Sequence, residues 1–241
     1  MNNTKDSHNI TVVTVTLNAG QHLERLAKSL NEQTFKNFVW LVKDGGSTDN
    51  TKKILEKYTS LIDINLIEKN DDGIYSALNQ AISYVNTKHY IVAGADDFFY
   101  PTSLQNFSEK SINADIVCAP IRMSGRILER SEDLQWRMGI AATMSSHSIG
   151  CLIKKSLHEK FGLYDTRYNM LADQNFLLQV YRSNSIIEYV EQPSGEYSLG
   201  GYSSSNKKIY AVEFFRMSIA NNEPILQQIL LLFYRFIKLY I

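Results

Sequence analysis

From Ile10 to Ala93 the chain alternates short β-branched runs with segments of helical spacing. Strands are predicted over Ile10 to Leu17, Phe38 to Val42, Ile62 to Ile67 and His89 to Ala93. Between them, Gln21 to Gln33 sets Leu23, Leu26, Ala27 and Leu30 at helical spacing. A second helix opens after Thr48-Asp49-Asn50-Thr51 and runs to about Tyr58, with Asp49 or Thr48 as its cap. A third spans Gly73 to Val85. Strand and helix in turn, with short connections, predict an α/β, Rossmann-like fold: a mostly parallel sheet flanked by helices on both faces. Ligands of such sheets bind at the carboxyl ends of the strands. Asn18, Asp44, Asp71 and the pair Asp96-Asp97 all fall at such ends. Each alone reads equally as a loop residue; together they point to a site.

The pair is the most chemically specific of these features. Asp96-Asp97 follows the apolar run Tyr90-Ile91-Val92-Ala93-Gly94. Adjacent carboxylates at the mouth of a buried strand need a cation or a hydrogen-bond network to compensate them. Oxygen ligands of this kind suit Mg²⁺ or Mn²⁺ held between one or two carboxylates and substrate phosphates. The competing reading makes Asp96 the cap of a helix starting near Pro101-Thr102-Ser103.

The alternation fades after about Leu104. Further strands are expected over Asp115 to Ile121 and Arg126 to Leu128, helices over Lys154 to Phe161 and Ala172 to Arg182, and a last strand over Ile186 to Glu191. Gly200 to Ser205 reads as a candidate mobile loop. Twenty-five basic and 25 acidic side chains cancel, which argues against a general nucleic-acid binder. Cys118 and Cys151 form neither a zinc spacing nor a disulfide framework, so a reducing compartment is expected. Met1 to His8 lacks the apolar core of a secretory signal, and no run reaches the roughly 20 apolar residues of a membrane span. Ile225 to Ile241 is nearly all apolar, with Ile225, Ile229, Leu232, Phe233, Phe236 and Tyr240 on one helical face. It reads either as a helix lying in a membrane interface or as one packed on the domain or on a second subunit.

The order of motifs resembles the family-2 glycosyltransferases with the GT-A fold, over roughly Ile10 to Ser205. The segments are Val15-Thr16-Leu17-Asn18, Ser29-Leu30-Asn31-Glu32-Gln33-Thr34, Asp44-Gly45-Gly46-Ser47-Thr48-Asp49-Asn50-Thr51, Asp71-Asp72-Gly73-Ile74-Tyr75-Ser76-Ala77-Leu78-Asn79, Gly94-Ala95-Asp96-Asp97, Ser146-His147 and Leu171-Ala172-Asp173. The nearest relatives look like bacterial enzymes of capsular, exopolysaccharide or O-antigen synthesis. The resemblance implies a GT-A domain over residues 1–205, with a nucleotide-binding half at about 10–100 and an acceptor half at about 101–205. C-terminal helices over 206–241 would serve a membrane surface or a homo-oligomer contact.

By resemblance, Asp97 is the metal ligand, for Mn²⁺ or Mg²⁺. Asp96 holds the donor ribose or assists the metal, and Asn18, Asp44 and Asp71 bind the nucleotide. Asp173 is the general base that takes the acceptor proton in an inverting displacement; an N-cap is its alternative reading. His147 faces the space between donor and acceptor. Arg182 and Lys207-Lys208 are candidate diphosphate partners, and Trp136 and Tyr202 candidate sugar-stacking rings. The chain departs from the family where Gly45 replaces a frequent second Asp and where Gly94 replaces a frequent Asp or Asn. The implied enzyme is a hexosyl- or N-acetylhexosaminyl-transferase using a nucleoside-diphosphate sugar, UDP-sugar foremost. Its acceptor is a saccharide or a lipid-linked saccharide, and its place is the cytoplasm, with a peripheral contact at the inner membrane face. The alternatives are a silent binding subunit and a nucleotidyltransferase. The latter is disfavoured because Leu17-Asn18-Ala19-Gly20-Gln21 lacks a Gly-rich loop with a basic residue. A dinucleotide oxidoreductase is disfavoured because no G-x-G-x-x-G follows a strand.

Overall fold

The computed structural model describes residues 9–145, 147–197 and 206–238, with only the backbone of Trp136. The expected loop over 200–205 with Tyr202, the N-terminal segment to His8, Ser146 and the ring of Trp136 lie outside the described residues.

Seven strands form the main sheet in the order β10-β6-β9-β4-β1-β2-β3. Its N-terminal half comprises β1 (Ile10–Thr16), β2 (Phe38–Asp44), β3 (Ile64–Glu68) and β4 (His89–Val92), all parallel. They are linked through α1 (Leu23–Asn31), α2 (Thr51–Tyr58) and α3 (Ile74–Ser83). The apolar runs of β1, β2 and β4 are near-continuous because both their faces are covered, whereas β3, at the edge, stays partly exposed. Val13 and Leu41 enter one core with α3, while Ile10, Val12, Trp40 and Val42 enter the other with α1 and α2. The predicted alternation and its parallel sheet are therefore found, with boundaries shifted by one or two residues.

The second half differs from expectation in three ways. Asp115 to Ile121 is not one strand: β6 (Ile116–Cys118) joins the main sheet, and β7 (Ile121–Met123) leaves it for another. The break falls at Ala119-Pro120, where proline has no N–H to give a ladder. Lys154 is not the start of a helix but the end of β9 (Cys151–Lys154), which lies antiparallel between β4 and β6; the helix α6 is only Leu157–Phe161. A short apolar run cannot be assigned by periodicity. Finally, β10 (Ile187–Tyr189) is not the last strand, since β11 (Gly195–Tyr197) follows. It completes a second sheet of order β5-β11-β7-β8 with β5 (Phe98–Phe99) and β8 (Arg126–Leu128).

Several motif residues serve this frame. Gln33 donates to the Ser29 and Tyr100 carbonyls at 3.0 and 2.8 Å and accepts from the Leu104 amide at 3.1 Å, closing the turn into α4 (Ser103–Lys110). Asn79 clamps the backbone of Tyr164 through two hydrogen bonds of 2.8 and 3.0 Å.

After α5 (Gln135–Met138), the helix α7 (Ala172–Tyr181) is braced by α8 (Lys207–Ala220) and α9 (Ile225–Ile237). Arg182 spans to Glu223 and to the Asn221 carbonyl, the latter at 2.7 Å. It lies nine residues beyond Asp173, ~14 Å at helical rise, and these contacts make it a strut between helices. Arg235 stacks 3.5 Å over the Phe214 ring and donates to the Arg137 carbonyl at 2.6 Å. One side of α9 thus packs inward, burying Gln228 and Leu231, while Leu226, Leu230, Phe233 and Ile237 stay exposed. Among the described residues no helix is long and apolar enough to cross a membrane.

The carboxylate of Glu213 is 2% exposed and accepts the Asn169 and Met170 amides at 2.7 and 2.9 Å, just before α7. Glu213→Ala leaves the buried Met170 amide and the part-buried Asn169 amide without this partner, and thermal denaturation is expected to register a loss of roughly 2 kcal/mol. A loss below about 0.5 kcal/mol, the scale of a surface change, would show that this brace is dispensable.

Candidate active site

The parallel register brings Thr16, Asp44 and Glu68 into one row at the carboxyl edge. Beyond it, Asn18 takes a left-handed backbone (φ 53°), which asparagine tolerates. Its Oδ1 accepts the Thr48 amide at 2.9 Å, and its own amide donates to Ser47 Oγ at 2.8 Å. Asp44 is fully buried, and Oδ1 accepts from the Ser47 amide at 3.0 Å and Ser47 Oγ at 2.7 Å. The Gly46 amide donates to the same oxygen at 3.2 Å. Both residues thus shape the loop that follows β2 at the carboxyl edge of the sheet. Asp49, not Thr48, meets the first turn of α2, accepting the Thr51 amide at 3.0 Å.

Asp71 sits beside this loop, paired with the ammonium of Lys43. Lys43 itself was not legible as a site residue: it is fully buried on β2, where an apolar side chain is the rule.

The turn after β4 carries the second cluster. Asp97 is fully buried; its Oδ2 accepts the Gly94 amide at 2.7 Å, and the Asp97 amide returns to the Gly94 carbonyl at 3.1 Å. Asp96 does not cap α4, whose cap position is Thr102. Instead both carboxylates fold over Gly94: a Cβ built there would meet Asp96 Oδ1 at 3.0 Å and Asp97 Oδ2 at 3.2 Å. The glycine makes room for this convergence. His147 approaches from the loop before β9, with Nδ1 3.7 Å from Asp97 Oδ2 and its ring 4.3 Å from that of Tyr197 on β11. Burial pushes the Asp97 carboxyl well above the usual range, with Asp96 adding to it. Burial also lowers the His147 imidazole to about 4, against the pull of Asp173 and Asp96.

Two atoms here, Asp97 Oδ1 and His147 Nδ1, are buried with no hydrogen-bond partner among the described residues. Orphaned acceptors of this kind are costly, and a cation facing both would remove the cost. The donor set therefore fits a divalent ion. Among the described residues no group of three His, Cys, Asp or Glu side chains is placed to hold a metal ion by itself.

Asp173 is the second residue of α7, not its cap; Leu171 holds that position. Tyr75 of α3 donates to Asp173 Oδ1 at 2.8 Å, and the Gln174 amide donates to the same oxygen at 2.8 Å. Burial raises the carboxyl, and the Tyr75 hydrogen bond opposes that rise most strongly. Tyr75 and Tyr197 are the partners that sequence reasoning missed. Tyr75 lay within a quoted motif, but only the packing of α3 against α7 gave it a role. Lys207 and Lys208, at the start of α8, are exposed.

Tyr75→Phe removes a bond that favours the ionised form, so the Asp173 carboxyl is expected to titrate at higher pH in the variant. Side-chain carbon NMR reads the midpoint directly; an unchanged midpoint would deny Tyr75 this control.

Comparisons with known proteins bear on the family and the fold. The family profile described as Glycosyl transferase family 2 matches residues 11–162. A PGL/p-HBAD biosynthesis glycosyltransferase of Mycobacterium bovis is 24% identical over 209 residues, covering 80% of this chain and 78% of its own length. Among solved structures, the mannosyltransferase PcManGT of Pyrobaculum calidifontis, in complex with GDP-Man and Mn²⁺, superposes with a TM-score of 0.72. It is 16% identical, with 93% of this chain and 69% of that one covered. S. aureus TarS 1-349 in complex with UDP-GlcNAc gives a TM-score of 0.71 at 16% identity, with 93% and 70% covered. The chain spans only 39% of a longer TarS chain, with a TM-score of 0.68. These neighbours share the GT-A fold. With the family profile covering more than half of its 241 residues, the chain belongs to glycosyl transferase family 2 and is a glycosyltransferase.

Proposed function

We propose that the protein is an inverting, metal-dependent transferase that moves a sugar from a nucleoside-diphosphate sugar, UDP-sugar foremost, to a saccharide or lipid-linked saccharide. Its setting would be bacterial surface-polysaccharide synthesis on the cytoplasmic side of the membrane. The observation that carries the reading is the pair of orphaned atoms, Asp97 Oδ1 and His147 Nδ1, beside Asp96 over the bare Cα of Gly94. Asp97, with Asp96 and His147 beside it, would hold Mn²⁺ or Mg²⁺. Such an ion supplies neutralisation of the charge that develops on a departing diphosphate.

The chain's own residues do the rest. Asn18, Asp44 and Asp71 line the nucleoside end. Asp173 accepts the proton of the attacking hydroxyl, and its burial makes it a stronger base than an exposed carboxylate. Tyr75 holds the accepting oxygen in place. The two solved relatives carry donors with different bases, UDP-GlcNAc and GDP-Man, so the base here is a matter for binding. Loss of the frequent carboxylates at Gly45 and Gly94 is what favours a silent binding subunit as the second reading.

Calorimetry with UDP, GDP, dTDP and CDP, each with and without Mn²⁺, tests the proposal. One nucleotide is expected to bind tightly and only with the metal. Asp97→Ala should lose the metal-dependent gain, while Asp173→Asn keeps donor binding and lowers kcat by about 10²–10⁴. Full turnover by Asp173→Asn would overturn the base assignment, and transfer by no form of the protein would leave the silent subunit.

The exposed face of α9 supports a peripheral membrane contact: Leu226 is 69% and Phe233 64% exposed, with Lys238 at its end. Co-sedimentation with phosphatidylglycerol–phosphatidylethanolamine vesicles is expected for the native chain and lost in Leu230→Glu with Phe233→Glu. If the double variant instead changes the mass seen by light scattering, a second copy covers the face.

A further inference from the structure

Lys43 is the one fully buried ammonium among the described residues. Side chains alternate along β2, so Lys43 points away from the face that Asp44 uses for its own turn. A buried lysine is expensive unless it is paired, and the partner here is Asp71 Oδ2. Asp71 is not sealed in: its side chain keeps 19% of its surface. Its Oδ1 accepts the Gly73 amide at 3.1 Å. A carboxylate has about four lone-pair directions. Lys43 and Gly73 take two, which leaves acceptor capacity on the open side.

Gly45 explains how the carboxylate reaches this position. A Cβ there would lie 3.0 Å from Asp71 Oδ2, and 3.6 Å from both Leu17 Cδ1 and the Thr16 carbonyl. The bare Cα lets Asp71 lie across the end of β2, next to the loop of Asn18, Asp44 and Ser47. The arrangement is a partly exposed acceptor at the strand edge, anchored by a fully buried charge.

We infer that Lys43 is a positioning residue for donor recognition: it fixes the Asp71 carboxylate over Gly45 as the acceptor for paired N–H or O–H donors of the nucleoside. The inference rests on the family-2 transferase reading above and adds to it a residue pair and a cause for the glycine. Lys43 acts only through Asp71, so its loss should be felt in donor binding and selectivity, with turnover at saturating donor little affected.

The alternative is a structural fastener between β2 and the segment before α3. Four variants separate the two: Lys43→Met, Asp71→Asn, their combination, and Gly45→Ala. Each single change of the pair leaves one buried charge unpaired and lowers Tm; the double variant removes both charges and recovers Tm. On the inference, the double variant still binds the preferred nucleoside diphosphate about tenfold more weakly than the native chain, and its preference among UDP, GDP, dTDP and CDP is blunted. Gly45→Ala, which displaces Asp71 and keeps both charges, shows the same rise in KM without a matching fall in kcat. Recovery of both Tm and nucleotide affinity in the double variant would reduce the pair to a fastener and overturn the inference. A native chain that binds none of the four nucleotides would instead overturn the transferase reading, and the inference with it.

Discussion

The parallel register of β1, β2 and β3 is the constraint on which the rest depends. It aligns Thr16, Asp44 and Glu68 at one edge, so the loops that follow must meet there. Because β1 and β2 are buried on both faces, slipping either by one residue would turn its apolar set to the wrong core. Trp40 adds a polar lock, donating from Nε1 to Thr14 Oγ1 at 3.0 Å inside the sheet. The loops inherit this precision. Asn18 can reach the Thr48 amide, and Asp71 can reach Lys43, only while the strand ends stay level.

One short segment ties the two halves of the site. Residues 71–75 begin with Asp71, held to β2 through Lys43, and end with Tyr75, held to α7 through Asp173. The Lys43–Asp71 pair and the Tyr75–Asp173 bond are therefore anchored at two ends of a single turn and helix start. Gly73, at φ 109°, supplies the bend between them. From the other side, Glu213 of α8 fixes the approach to α7. The C-terminal helices thus support the start of the helix that carries Asp173 as well as presenting an apolar face.

Much of the frame was legible. Strands with both faces buried, β1, β2 and β4, write themselves as near-continuous apolar runs; the edge strand β3 shows as an alternation, and helices with one buried face write a 3.6-residue period, so β1 to β4 and α1 to α3 could be read directly. The second half was harder because its strands are three or four residues long and pair across large separations. Cys151–Lys154 has the apolar content of a strand, but only its neighbours β4 and β6 make it one. Likewise Pro120, not hydrophobicity, decides where β6 ends and β7 begins. Arg182 carried the charge of a phosphate ligand, and only the fold reveals that Glu223 and the Asn221 carbonyl already use it.

For the site, the sequence by itself determined the inventory: which carboxylates follow which strand, and that two of them are adjacent. It could do so because strand ends and turns are local features. Only the tertiary structure decided how these groups compensate one another. The nearness of His147 to Asp97, of Tyr75 to Asp173 and of Lys43 to Asp71 joins residues 50, 98 and 28 positions apart. No local rule links such residues. Their pairing follows from the cost of burying a charge or a polar atom alone, and that cost exists only once the chain has closed around them.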